Sequence, residues 1–297
     1  MDFSNKFKLD LGKKINKKID EKCAPGIDFK EGSCFTVDQL KKMSLKINNF
    51  ENKNIISIED NKKNLLKQLN KYFDNKYRCG DQKCWIATDI IKDLNDDEIS
   101  LYTFRPDGPS KGYEWLSTTD INRVLKQYEN IYEEFISYGA VPSDFEHIGM
   151  SRSEIKDEGN RLFMMKEEFR FENLDKINKS KFGVVVNLDT SGKSGSHWVA
   201  LYVDLKKGDI FFSDSVGNAP NKYIKAYIER ISKFLSNKGI TPNIKINKTR
   251  HQTKNSECGV YSINFILRLL KGETFEEISN NKLDDDLVNL CRDIYFT

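Results

Sequence analysis

Two apolar runs lying close together, Phe182-Gly-Val-Val-Val-Asn-Leu188 and Trp198-Val-Ala-Leu-Tyr-Val203, restrict the architectures open to this chain. Neither alternates polar with apolar residues, so each predicts a strand buried on both faces. Ile210-Phe-Phe212 predicts a third strand, and Lys206-Lys-Gly-Asp209 supplies the turn that makes the second and third a hairpin. Three amphipathic helices are available to cover such a sheet. The first runs from Ser117 to Phe135, capped by Ser or Thr, with Asp120 at its positive end and Ile121, Val124, Leu125, Tyr128 and Ile131 on one face. Tyr223 to Leu235 is the second, and Cys258 to Leu270, with Val260, Ile263, Ile266 and Leu270 aligned, is the third. Ile244 to Ile246 reads as a further short strand. The class expected is α+β.

The first hundred residues have a different texture. Leu65, Leu69 and Phe73 recur every fourth position, Val37, Leu40, Leu45 and Ile47 more loosely, and Asp81 to Leu94 reads as a helix with Asp81 as N-cap. Residues 1–97 are therefore expected to form a small, mostly helical N-terminal domain, and residues 98–297 the α+β domain. Phe104-Arg-Pro-Asp-Gly-Pro-Ser-Lys-Gly112, rich in Pro and Gly, is the linker candidate.

Composition excludes several functions. With 48 basic and 45 acidic residues the net charge is +3, and the lysines are interleaved with Asn, Asp and Glu, so the footprint of a nucleic-acid binder is missing. No apolar run approaches a membrane span, and Met1 to Lys18 has no apolar core of a secretory signal. The six cysteines, 23, 34, 79, 84, 258 and 291, are then expected to be reduced thiols in a cytosol-like compartment. Gly192-Lys193-Ser194 lacks the upstream glycine of a phosphate-binding loop, since Asn stands at 187. Cys79 and Cys84 form one pair where a structural zinc site wants two, so they are expected as small buried thiols, with no metal.

Three histidines leave few acid–base options. His147 and His251 have the ordinary reading of surface or satisfied imidazoles. His197 stands at the mouth of a buried strand, between a Gly/Ser-rich loop and Trp198. Facing residues of an antiparallel pair have a constant index sum, here near 413 from the Lys206–Lys207 turn. His197 then lies opposite Val216, with Asp214 one diagonal step away on the same face. A carboxylate there can fix the imidazole tautomer and stabilise the imidazolium. Asp204 is the alternative orienter. Cys258 opens an apolar helix, where the dipole and an imidazolium would favour a thiolate, and Gly259 leaves the sulfur and nearby N–H unobstructed. Gln252, six residues upstream, can aim an amide donor at an oxyanion beside the Cys258 N–H. Nucleophile, base, orienter and oxyanion donor make a complete acyl-transfer set.

The order His197, Asp214, Gln252, Cys258 resembles that of the ubiquitin-like-protein proteases, the SUMO-protease and adenovirus-protease clan of cysteine peptidases. The matching stretches are His197-Trp-Val-Ala-Leu-Tyr-Val-Asp204, Phe212-Ser-Asp-Ser215 and Gln252-Thr-Lys-Asn-Ser-Glu-Cys-Gly-Val-Tyr261. Papain-like enzymes place Cys before His. Trp115-Leu-Ser-Thr-Thr-Asp-Ile-Asn122 is similar to a fourth family segment, with Ser117 in place of the usual Asn and Thr118-Thr119 where an acidic neighbour is usual. By that resemblance Trp115 and Trp198 close over a Gly-Gly tail in a tunnel that only glycine can thread. In the N-terminal region, Lys22-Cys-Ala-Pro25, Ser33-Cys-Phe-Thr36 and Cys79-Gly-Asp-Gln-Lys-Cys-Trp85 look like segments of the thiol proteases of large DNA viruses. Those relatives of the poxvirus and asfarvirus polyprotein proteases carry a helper domain and cut structural precursors after Gly-Gly.

The resemblance implies an adenain/SUMO-protease-like core, a mixed sheet flanked by helices, and a cysteine endopeptidase cleaving after Gly-Gly during virion maturation. Cys258 would be nucleophile, His197 base, Asp214 orienter and Gln252 oxyanion donor, with Trp115 and Trp198 binding substrate and no cofactor. The alternatives are a deSUMOylating or ubiquitin-like-modifier isopeptidase and a non-catalytic binder of Gly-Gly tails. Partners are a protein with Gly-Gly-Xaa sites or a ubiquitin-like modifier, with no membrane, and nucleic acid at most as an activator. The expected location is the virion or host cytoplasm, otherwise cytoplasm or nucleus, without secretion.

Overall fold

The computed structural model describes residues 18–110, 113–146 and 170–297. The described chain divides into two compact units, residues 18–107 with Phe296–Thr297, and Gly108–Tyr295.

The smaller unit is helical. Helix α1 (Val37–Glu51) opens with a reciprocal capping box between Thr36 and Gln39, and α2 (Lys62–Tyr77) is capped by the Asn61 side chain. Both end on a left-handed residue, Asn52 and Arg78. Asp81 caps the next helix as expected, accepting from the Cys84 N–H at 2.8 Å. The segment to Leu94 is not one helix, however. It breaks at Thr88, extended at ψ 147°, into α3 (Gln82–Ala87) and α4 (Asp89–Lys92). Thr88 turns its hydroxyl back on the Trp85 carbonyl, a local bond that competes with helix continuation. Trp85 stacks on Phe73 and Phe35 at 5.0 and 5.9 Å between centroids, at the centre of a core that includes Leu40, Met43, Ile47, Leu65 and Leu69. A short helix, α5 (Asp97–Ser100), completes the unit.

The reading of these cysteines as reduced thiols is overturned. Cys23 is disulfide-bonded to Cys34, and Cys79 to Cys84. The left-handed turn at Arg78 and the cap at Asp81 fold the chain back, leaving the Cα atoms of Cys79 and Cys84 5.5 Å apart, within disulfide range. Counting thiols against chain length ignored how short turns bring pairs together.

The larger unit is built on a five-stranded mixed sheet in the order β1 (Phe135–Pro142), β2 (Lys181–Asn187), β3 (Trp198–Asp204), β4 (Asp209–Ser213), β5 (Asn243–Ile246). The β1–β2 and β4–β5 pairs are parallel, and β2–β3 and β3–β4 antiparallel. Strand β1 corrects the helix expected from Ser117 to Phe135. Helix α6 (Thr118–Glu129) ends six residues before Phe135, which begins the strand. The expectation failed because Ile131 continues the helical stripe but is exposed, while the chain has already turned through Tyr128–Tyr132 hydrogen bonds.

The two apolar runs are buried on both faces, as their composition requires. Phe182, Val184, Val186, Val199, Leu201, Val203, Ile210 and Phe212 pack with Ile224, Tyr227, Ile228, Ile231 and Leu235 of α7 (Lys222–Asn237). Alternation sends Gly183 to the opposite face, where a Cβ would stand 3.0 Å from Ile266 of α8 (Cys258–Leu270). Glycine there lets α8 sit close against β2. Three short helices follow, α9 (Phe275–Asn280), α10 (Asp285–Asn289) and α11 (Arg292–Tyr295).

Candidate active site

The β3–β4 hairpin has the expected register. Ala200 faces Ser213 and Asp204 faces Asp209, an index sum of 413, set by a turn in which Asp204 accepts from the N–H groups of Lys206 and Lys207. Asp204 is thereby committed at the far end of β3 from His197. Ladder pairing stops at Ala200, so His197 and Asp214 lie just beyond it and side chains close the gap. His197 Nε2 is 2.6 Å from Asp214 Oδ1. Asp214 is 1% exposed, and it is fixed by the Val216 N–H at 2.9 Å and by the Asn247 amide, which donates to its carbonyl.

With Nε2 committed to Asp214, Nδ1 is the ring nitrogen left, and the Cys258 sulfur lies near enough to the ring to favour its protonation. Burial opposes protonation of His197, but the hydrogen bonds and negative charge of Asp214 and Cys258 outweigh it and raise its pKa to about 9. Burial likewise disfavours the Asp214 anion. The His197 hydrogen bond, the Val216 N–H and the Asn218 side chain prevail and hold it below the usual carboxylate range. Cys258 begins α8 after Glu257, whose side chain makes no cap hydrogen bond to the helix. Cys258 and Cys291 are the free thiols among the described residues, and burial pushes Cys291 up to about 11.

Gln252 is buried on the loop before α8. Its main-chain N–H donates to the Ser215 carbonyl, its Oε1 accepts from the Ser215 hydroxyl at 2.7 Å, and its Nε2 donates to the Lys254 carbonyl at 2.9 Å. The other N–H of that amide has no partner among the described residues. The loop is tied in turn to Asp285, which accepts from the N–H groups of Thr253 and Lys254 at 2.9 and 3.0 Å and from the Thr253 hydroxyl.

The two tryptophans differ. Trp198 is buried, and its indole N–H donates to the Leu116 carbonyl at 3.0 Å. Trp115, next in chain to Leu116, is 50% exposed. The link between them is Leu116, since no ring contact joins the two indoles among the described residues. Gly259 has a further task besides the one expected. A Cβ on it would lie 2.9 Å from Leu116 Cβ, so its role is close approach of α8 to the Trp115 segment.

His251 is buried and satisfied, its Nδ1 accepting from the Leu283 N–H at 3.2 Å. Burial and the charges of Arg268 and Lys282 lower its pKa to about 4. His147 lies outside the described residues. Ser215, Asn247 and Asp285 escaped sequence reasoning. Ser215 was within reach as part of Phe212-Ser-Asp-Ser215, but Asp285 sits in Asp284-Asp-Asp286, which reads as an ordinary helix start. Among the described residues no group of three or more His, Cys, Asp or Glu side chains is arranged to hold a metal, and no helix is long and apolar enough to cross a membrane.

The family model for the Ulp1 protease family, C-terminal catalytic domain, matches residues 173–296. A provisionally named thiol protease of Acanthamoeba polyphaga mimivirus is 36% identical over 301 residues, covering 92% of each chain. A SUMO-1 cysteine protease of African swine fever virus is 26% identical over 244 residues, 75% of this chain and 86% of that one. In fold, the crystal structure of an African swine fever virus protease superposes with a TM-score of 0.62 at 21% identity, covering 93% of this chain and 96% of that one. The expected mixed sheet with flanking helices and a helical N-terminal region is the architecture found. Relatives alike over nearly the whole length, together with the matched catalytic-domain model, establish that the chain belongs to the Ulp1 family of cysteine proteases, as a viral-type thiol protease.

Proposed function

We propose that this protease cleaves after Gly-Gly in viral structural precursors, with Cys258 as nucleophile, His197 as base and acid, Asp214 as orienter and Gln252 as oxyanion donor. The observation that carries the reading is the single imidazole bonded at 2.6 Å to the buried Asp214, with the Cys258 sulfur beside the same ring. In the first step Cys258 Sγ, whose proton His197 already holds, bonds to the carbonyl carbon of the second glycine. The oxyanion is held by the Cys258 N–H and the remaining N–H of the Gln252 amide. His197 then gives its proton to the departing amine as the C–N bond breaks, leaving a thioester. Water, deprotonated by His197, attacks that thioester and restores the thiol. Trp115 and Trp198 select glycine by leaving no room for a Cβ. Residues 98–297 form the catalytic domain in this reading, and residues 1–97 an accessory domain. The enzyme would act in the virion or the host cytoplasm.

The match to the Ulp1 catalytic domain favours a second reading, an isopeptidase acting on a ubiquitin-like modifier. Intact mass separates the two. Cleavage of short Gly-Gly-Xaa peptides, without an adduct on modifiers carrying a C-terminal electrophile, is the result expected for precursor processing. A Cys258–modifier adduct with no peptide cleavage would establish the isopeptidase, and silence in both would remove the catalytic assignment.

A further inference from the structure

Arg292 is 1% exposed, yet among the described residues it forms no contact ion pair. Its hydrogen bonds go to neutral oxygens: Nε donates to Asn289 Oδ1 at 2.8 Å, Nη1 to the Pro109 carbonyl at 3.1 Å, and Nη2 to the Glu114 carbonyl at 2.6 Å and the Ser256 carbonyl at 3.4 Å. A buried carboxylate lies one amide away. Glu257 accepts from the Ser256 N–H and hydroxyl at 2.9 and 2.8 Å and from Asn289 Nδ2 at 3.1 Å. Asn289 thus bridges the guanidinium and the carboxylate.

Burying opposite charges is weak as a source of stability, because desolvation offsets most of the attraction, whereas fixing register is its best-attested use. The places that Arg292 fixes are specific. Glu114 immediately precedes Trp115, and Ser256 stands two residues before Cys258. The same two segments meet again where Gly259 abuts Leu116. A planar fork satisfies several carbonyls at set angles, which a lysine ammonium does not reproduce.

We infer that Arg292 is a positioning residue that sets the spacing between the Trp115 segment and the nucleophile loop, and through it the width of the opening that admits only glycine. The inference rests on the Gly-Gly reading. Its test uses the full chain, with Arg292→Lys and Arg292→Gln assayed on paired peptides that differ only in Gly-Gly-Xaa against Gly-Ala-Xaa. Thermal melting and the pH profile of Cys258 alkylation by iodoacetamide are followed in parallel. The ratio of kcat/KM between the peptides is expected to fall about tenfold or more, the scale of one methyl group in a fitted pocket, with the alkylation midpoint unmoved in Arg292→Lys, which keeps the charge. Equal losses on both peptides, with the ratio kept, would reduce Arg292 to a structural residue and overturn the inference alone. A wild-type enzyme indifferent to Gly-Ala would overturn the Gly-Gly reading and this inference with it. If the Arg292 variants do not fold, Asn289→Leu, which removes one partner of the guanidinium, is read by the same ratio.

Discussion

Gly259 and Leu116 are in contact with no space for a side chain between them: a Cβ on Gly259 would stand 2.9 Å from Leu116 Cβ and 3.2 Å from its Cγ. Both Cβ positions are set by backbone, so neither can rotate away. The Leu116 carbonyl takes the Trp198 indole N–H, so this contact ties the start of α8 to the Trp115 segment and, through that carbonyl, to Trp198.

Gly259→Ala is therefore expected to push the Trp115–Ser117 segment off α8, at about 1–3 kcal/mol of overpacking. Activity on Gly-Gly peptides should fall although every polar residue of the site remains. Adding Leu116→Ala should recover part of the stability, and a double-mutant cycle in thermal melting measures that coupling. Additive losses would mean that the two residues do not press on one another.

The His197 imidazole should titrate near pH 9 by NMR in the wild type. Asp214→Asn removes the main group that raises it while burial stays, so the midpoint should drop by more than in Cys258→Ala. The stability sign follows. A pKa raised from the ordinary 6.5 stabilises the fold fully below pH 6.5, and that contribution is lost as pH rises through about 9. Wild-type melting temperature should accordingly decline between those values more steeply than that of Asp214→Asn. Equal slopes would show that the pair does not couple to folding.

Much of the site was legible because it hangs on a hairpin. The Lys206–Lys207 turn sets the index sum, and the sum brings His197 and Asp214 to one end of one face before any side chain is considered. Cys258 was legible because a helix start is a local signal. Asp285, Asn289 and Arg292 were not, since each acts through contacts with residues that are distant in sequence or buried, and the local text around them reads as capped surface helix. Strand β1 was missed because Ile131 prolonged the stripe of α6 past its true end, and the disulfides because pairing depends on turns that residue counts do not contain.

The two disulfides close loops of sequence separation 11 and 5. Loop entropy predicts about 2–3 kcal/mol from each. Mild reduction should lower the melting temperature of the helical N-terminal unit, and Cys23→Ser with Cys34→Ser should reproduce about half of that shift without reductant. Mass spectrometry of the protein alkylated after unfolding, without reduction, should find modification confined to Cys258 and Cys291. Labelling at Cys79 or Cys84 would mean that the pair is open in solution.

Gln252 owes its place to a carboxylate thirty-three residues away in sequence. Asp285 holds the N–H groups of Thr253 and Lys254, and the Lys254 carbonyl in turn takes the Gln252 amide. In the proposed mechanism Gln252→Ala removes the oxyanion donor and is expected to cost about 10²–10³ in kcat, the usual loss for one such donor. Asp285→Asn keeps the shape but replaces the charged oxygen that accepts from Thr253 and Lys254 by a neutral amide oxygen, which should cost about 1 kcal/mol of stability. It should also lower kcat more than it raises KM, because the substrate groove is intact while the donor is misplaced. In Asp285→Asn combined with Gln252→Ala the Asp285 effect on kcat should largely vanish, since the residue through which it acts is gone. If the two losses multiply instead, Asp285 acts on the site by another route, and the loop is not its link to the oxyanion.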